Sequence, residues 1–240
     1  MPKLIIPARL NSKRLPRKPL LEINGIPMIV KTARNAINAI GDKNVFVATD
    51  SSEIIKCCDK YQIQSILTSE NCLTGTDRVI EAAKKLTFDN VFNLQGDEPL
   101  FPKAVIKEFI EKTKDSIYPV AMGITKIKDE KEFISPKIPK IVFNNKKELL
   151  YTSRSRIPGS KNMANQIGFK QVCIYKYKIS KLTNLNKNKS KTFFESIEDL
   201  ELLRMLEIGI KVKCIYLDYQ EHFSVDTHED LKKIRAKLGK

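Results

Sequence analysis

The chain of 240 residues is 42% apolar and 30% charged, which supports a full core and excludes wholesale disorder. Its 43 Lys and Arg against 28 Asp and Glu leave a formal +15, so the partner is expected to be anionic: nucleic acid, membrane phosphate or a small substrate. Five cysteines lack CxxC or zinc-ligand spacing, and no run approaches the roughly 18 apolar residues of a membrane span, so the expectation is reduced thiols in a cytoplasmic protein.

The first stretch, "KLIIP", is a β-branched run that predicts a strand, and "PMIVKTARNAINAI" carries helical spacing with Pro27 at its start. Between them lies a loop holding Arg9, Lys13, Arg14, Arg17 and Lys18, with Gly25 permitting a turn. Strand "NVFVA", helix "SEIIKCCDKY", strand "IQSILT", helix "TDRVIEAAKKL" and strand "NVFNLQ" follow in alternation. Buried strands separated by helices predict an α/β fold with a doubly wound, mostly parallel sheet, whose ligand site lies beyond the carboxyl ends of the strands.

After helix "PKAVIKEFIEKTK", the strands "YPVAMGITKI", "KIVFNN", "ELLYTSR" and "FKQVCIYKYK" are joined by turns, which predicts a smaller mixed-strand excursion over about 119–178 within one domain of 1–240. The acidic stretch "FFESIEDLELLRMLEIG" is expected to present Glu195, Glu198, Glu201 and Arg204 on a solvated helix face. Strand "KVKCIYL" and helix "THEDLKKIRAKL" close the chain.

The basic loop follows the first strand, where such sheets bind anions, yet it is neither a Walker loop nor a dinucleotide fingerprint, since GxxxxGK[ST] and GxGxxG are absent. At the end of the fourth main strand, "LQGDEP" sets Asp97 and Glu98 at the same edge, with Gly96 allowing close backbone approach. "FSVDTHEDL" places Asp226 between a short strand and a helix that Thr227 helps to cap. Singly, Asp97 reads as a turn residue and Asp226 as a cap; together the two carboxylates could share one Mg²⁺. His222 and His228 have no third ligand or paired nucleophile beside them, so zinc and triad chemistry lack support. Charge alone leaves nucleic-acid binding open, but no RNA-binding motif or aromatic stacking series supports it.

Taken in order, "IPARLNSKRLPRKPL", "INGIPMI", "ATD", "TGTDR", "NLQGDEP", "YTSR", "IEDLELLR" and "VDT" resemble the CMP-Kdo synthetases, the 3-deoxy-manno-octulosonate cytidylyltransferases, over nearly the whole chain. The resemblance implies a nucleotide-diphospho-sugar transferase-like fold and attack of an acidic 2-keto-3-deoxy sugar on CTP. The products would be a CMP-sugar for lipopolysaccharide or surface glycan synthesis, and pyrophosphate. It implies nucleotide contacts at Ala8, Arg9, Ser12, Arg14, Lys18, Thr76 and Arg78, magnesium ligands at Asp97 and Asp226, and catalytic work by these two and Lys18. Sugar contacts are implied at Gln95, Arg154, Gln171, Tyr175 and Glu201, together with a homodimer formed through the excursion and no nucleic-acid partner.

The departures concern both ends of the site. Arg17 stands where the family commonly has the Gly of "LPGKPL", and is expected to add charge to the phosphate loop. Gln171 stands at the His of "HxGIYGY", Leu202 at the Gln of "LEQLR", and "SRSRIPG" replaces "SRATIPW". These changes keep a different acidic sugar open, such as 8-amino-Kdo or a nonulosonic acid.

Overall fold

A computed structural model describes residues 1–12, 14–159, 161, 168–183, 185, 190–219 and 223–238, so Lys13 and His222 lie outside the described residues. The expected alternation is present in the first half. Strand β1 (Lys3–Ala8) leads through the basic loop to the small hairpin β2 (Glu22–Ile23) and β3 (Ile26–Pro27), then to α1 (Met28–Ile40). Asn24 and Gly25 turn that hairpin with φ of 51° and 75°, the left-handed pair favoured in two-residue turns. There follow β4 (Val45–Thr49), α2 (Ser52–Lys60), β5 (Ser65–Leu67), α3 (Gly75–Lys85), β6 (Asn90–Leu94) and α4 (Lys103–Thr113). The second half holds β7 (Val120–Lys126), α5 (Glu130–Ile134), β8 (Lys140–Phe143), β9 (Leu149–Ser153), β10 (Phe169–Lys178), α6 (Phe193–Glu198), α7 (Glu201–Glu207), β11 (Val212–Tyr216) and α8 (His228–Leu238).

The main sheet runs β11-β7-β10-β6-β1-β4-β5. Its neighbours are parallel except at β10, which is antiparallel to both β6 and β7. Side-chain alternation along β1 explains the two cores: Leu4 and Ile6 pack with Ile29, Val30 and Phe109 on one face, while Ile5 packs with Val79, Ile80 and Ala83 on the other. Helices therefore cover both faces, as the apolar strands require.

The 119–178 segment does not form a sheet of its own. Strands β7 and β10 lie inside the main sheet, and only β8 and β9 branch from it, with β8 pairing to β10. Because β10 runs against its neighbours, its first residues lie at the edge where β6 ends, with Ile174 opposite Leu94.

Two local expectations are corrected. The acidic stretch is two short helices, broken at Asp199 with φ of 52°; Glu195 and Arg204 are buried whereas Phe193, Phe194 and Ile197 are exposed. Ion pairing with Asp77 and Glu195 lets the Arg204 charge go inside, inverting the face expected from composition. Residues 223–226 form no strand; that segment is irregular, tied instead by the Val225 N–H to Asp97 O at 3.0 Å. No helix among the described residues is long and apolar enough to cross a membrane.

Candidate active site

Three strand ends and one returning loop build the site. At Gly96, a Cβ would stand 2.7 Å from Pro7 O, so only glycine lets the turn after β6 pack against the end of β1. A separate apolar cluster of Leu15, Ile23, Met28, Val225, Leu231 and Ile234 pins the basic loop to the segment before α8. Together with the bond from Val225 to Asp97 O, this anchoring brings Lys18, Asp97 and Asp226 together.

Lys18 Nζ lies 2.7 Å from Asp97 Oδ2 and 3.1 Å from Asp226 Oδ1. Burial acts to lower the pKa of this ammonium, but attraction to Asp97 and Asp226 overcomes it and the pKa rises above the ordinary 10.5. Arg14 Nη2 approaches the same Asp226 oxygen at 3.1 Å from a largely exposed position. Arg17, expected to add charge here, turns away: its backbone adopts a left-handed conformation (φ 56°) and its guanidinium pairs with Glu53 of α2.

A cavity of about 400 Å³ is lined by Ala8, Arg9, Ser12, Arg14 and Lys18 from the first loop and by Gly75 and Arg78 of α3. Arg78 is buried in its wall, donating to Asp50 Oδ2 at 2.7 Å and Thr68 Oγ1 at 2.6 Å. Asp50 also accepts from Leu10 N, so this residue at the end of β4 braces both the loop and α3. Its place just beyond a strand within "ATD" was the available signal, and side-chain typing alone missed it.

A second cavity of about 590 Å³ adjoins the first, and Arg14, Gln95, Asp97, Glu201 and Asp226 line both. Arg154, Gln171, Tyr175 and Leu202 line the second, as does Thr76. The Gln171 amide donates to the Tyr175 hydroxyl, whose pKa burial drives well above 10.0. Arg154 is set by Glu198 O and Pro136 O, while the buried Lys140 ammonium holds the Arg154 carbonyl at 2.8 Å.

Glu201 is engaged at the N-terminus of α3, accepting from Gly75 N at 3.0 Å and Thr76 N at 2.9 Å and from the Thr76 hydroxyl. Arg204 reinforces the joint by donating to Thr74 Oγ1 at 3.1 Å and Asp77 Oδ2 at 2.8 Å. The helix carrying the second cavity's acid is thus bolted to the helix that walls the first.

The residues named for nucleotide, sugar and metal contact therefore line one or both cavities, whereas Arg17 lines neither. Two hard-oxygen carboxylates on either side of an ammonium are of the donor type that hard divalent cations take, and among the described residues no cluster of three or more His, Cys, Asp or Glu could hold a metal by itself.

A profile described as cytidylyltransferase matches residues 4–214. The 3-deoxy-manno-octulosonate cytidylyltransferase of Polynucleobacter necessarius is 37% identical over 99% of this chain and 95% of its own length. The 8-amino-3,8-dideoxy-manno-octulosonate cytidylyltransferase of Shewanella pealeana is 37% identical over 98% and 97%. A solved CMP:2-keto-3-deoxy-manno-octonic acid synthetase complexed with CTP superposes with a TM-score of 0.90 at 34% identity, covering 99% of this chain and 98% of that one. A nucleotidyltransferase by fold and by motif order, the chain belongs to the cytidylyltransferase family, among the 3-deoxy-manno-octulosonate cytidylyltransferases.

Proposed function

We propose that the protein couples CTP to a 3-deoxy-ulosonic acid, Kdo first, giving CMP-sugar and pyrophosphate in the cytoplasm. The observation that carries this reading is the meeting of two cavities at Asp97 and Asp226, one walled by the basic loop and the other by Arg154, Gln171 and Tyr175. A triphosphate in the first would lie against Arg9, Ser12, Arg14 and Lys18, and a sugar acid in the second would offer its carboxylate to Arg154. The anomeric hydroxyl would then face the α-phosphorus for in-line displacement.

Asp97 and Asp226 would hold Mg²⁺, which when bound supplies charge neutralisation on the phosphoryl oxygens and a lowered pKa for the attacking hydroxyl. Lys18 and Arg14 would bear the charge of the departing pyrophosphate. Arg78, held by Asp50, would keep the nucleotide wall in place.

A second reading, activation of 8-amino-Kdo, is favoured by the similarity to the Shewanella pealeana protein and by Gln171 in the sugar cavity. Pyrophosphate release with each nucleoside triphosphate against Kdo, 8-amino-Kdo and a nonulosonic acid tests both. Kdo is expected to turn over with CTP; turnover with ATP, or without any sugar acid, overturns the reading.

A homodimer belongs to the same proposal. Leu150 of β9 and Phe193, Phe194 and Ile197 of α6 are exposed, and Tyr151 and Phe194 stand edge to face at 6.1 Å. A second copy of the chain would cover this apolar face.

A further inference from the structure

One cation of the basic loop is already paired inside the site. Its Lys18 ammonium sits between the two carboxylates, at 2.7 Å and 3.1 Å, and Arg14 joins it on Asp226 at 3.1 Å. Two positive side chains thus balance two negative ones. Lys18 is held there firmly: only 16% of its side chain is exposed, and Leu15 and Pro19 on either side are buried.

We propose that Lys18 is an internal counter-cation that competes with a divalent metal ion for Asp97 and Asp226, so that metal is admitted together with the triphosphate and not ahead of it. The inference rests on the nucleotidyltransferase reading of the site. An ammonium and a divalent cation repel, and both would draw on the same two carboxylates, so metal entering alone must work against a positive charge already paired with Asp97 and Asp226. A triphosphate changes this balance. It offers Lys18 and Arg14 a replacement anion, which frees the carboxylates for the metal that the nucleotide brings. Nucleotide and metal are then coupled through one side chain, and the coupling is reciprocal.

The test is direct binding of Mn²⁺, as a hard-cation probe, to the full chain without nucleotide, followed by titration calorimetry and by the electron-spin signal of free Mn²⁺. Lys18→Met and Lys18→Gln shorten the side chain by one atom and remove the charge; either should bind Mn²⁺ about tenfold or more tightly than the unaltered protein, a modest coupling by the usual standard. Lys85→Met, at an exposed pair far from the site, should leave the affinity unchanged. Affinity that is equal or weaker in both folded Lys18 variants overturns the proposal, as does an equal gain in Lys85→Met, which would signal a general field effect. Adding Asp226→Asn to Lys18→Met separates the two layers. If Mn²⁺ binding is lost with Asp226 yet Lys18→Met gave no gain, the counter-cation role alone fails. If binding ignores Asp226, the metal assignment beneath it fails as well.

Discussion

Arg204 of α7 and Asp77 of α3 meet 127 positions apart in sequence, with 2.8 Å between guanidinium nitrogen and carboxylate oxygen and almost no exposure of either side chain. Removing one partner of such a pair strands a charge away from water. Arg204→Met should therefore cost about 3–5 kcal/mol in urea unfolding. Lys85→Ala, which deletes an exposed pair with Glu81, should change stability by under ~0.5 kcal/mol. Equal effects would mean that the buried pair does not join the two helices.

Asp226 pairs with Lys18 and Arg14 at the meeting of the cavities. Asp226→Asn keeps the shape of the loop and removes a hard anionic ligand, so pyrophosphate release should fall by about 100-fold or more with the circular-dichroism spectrum unchanged. Full activity at low magnesium would leave Asp226 as a loop residue only.

Gln171 donates to the Tyr175 hydroxyl in the second cavity and does not line the first. Gln171→His combined with Leu202→Gln should shift the KM for Kdo by several-fold, about 1 kcal/mol of binding, while the KM for CTP holds. A change confined to CTP would remove both positions from the proposed sugar site.

Burial pushes the Glu201 pKa above 4.5, against the pull of hydrogen bonds from Thr76 and Gly75. A carboxyl whose folded pKa is raised contributes stability that is complete below its unfolded value and is lost as pH rises through the folded value. Glu201→Gln cannot ionise and so escapes that loss. Its melting temperature relative to the unaltered protein should climb as pH rises from 4.5 and then level off; a flat difference across that window would show that Glu201 ionises without penalty.

The exposed face of Phe193 and Ile197 gives the proposed dimer a direct check. Phe193→Ser with Ile197→Ser should shift sedimentation toward the monomer at micromolar concentration without lowering the melting temperature of the monomer itself. An unchanged sedimentation profile would move the interface elsewhere.

The first half of the fold was legible because each strand there is a short apolar run and each helix repeats its apolar positions at helical spacing, as "KLIIP" and "PMIVKTARNAINAI" do. The strands of the second half were legible too, but not their membership of the main sheet, since pairing of β10 with β6 leaves no local trace in either sequence. Motif order singled out the residues that the structure gathers around the two cavities. The contact of Lys18 with Asp97 and Asp226 spans 79 and 208 positions, a relationship that periodicity cannot carry. Charge misled at three kinds of position. Glu195 and Arg204 look like surface residues and are buried; Lys140 and Lys170 are completely buried, solvated by carbonyls and by Glu132; Arg17 looks like a phosphate ligand and pairs with Glu53. For the buried charges, specific partners offset the cost of leaving water, whereas Arg17 stays exposed and is simply drawn to Glu53.

The position of β10 has a consequence for biosynthesis. Strands β5, β4, β1 and β6 can associate as soon as residue 94 has left the ribosome, but β6 then exposes an unpaired rim, because its neighbour is completed only at residue 178. For the intervening stretch the nascent chain carries an apolar half-sheet open on one side, the kind of rim that recruits other chains. Fragments released before Phe169 should therefore aggregate, whereas release after Lys178 lets β10 close the gap and, in the same step, deliver Gln171 and Tyr175 to the second cavity. Closure of the sheet and completion of the second cavity's wall are one event in the life of the chain.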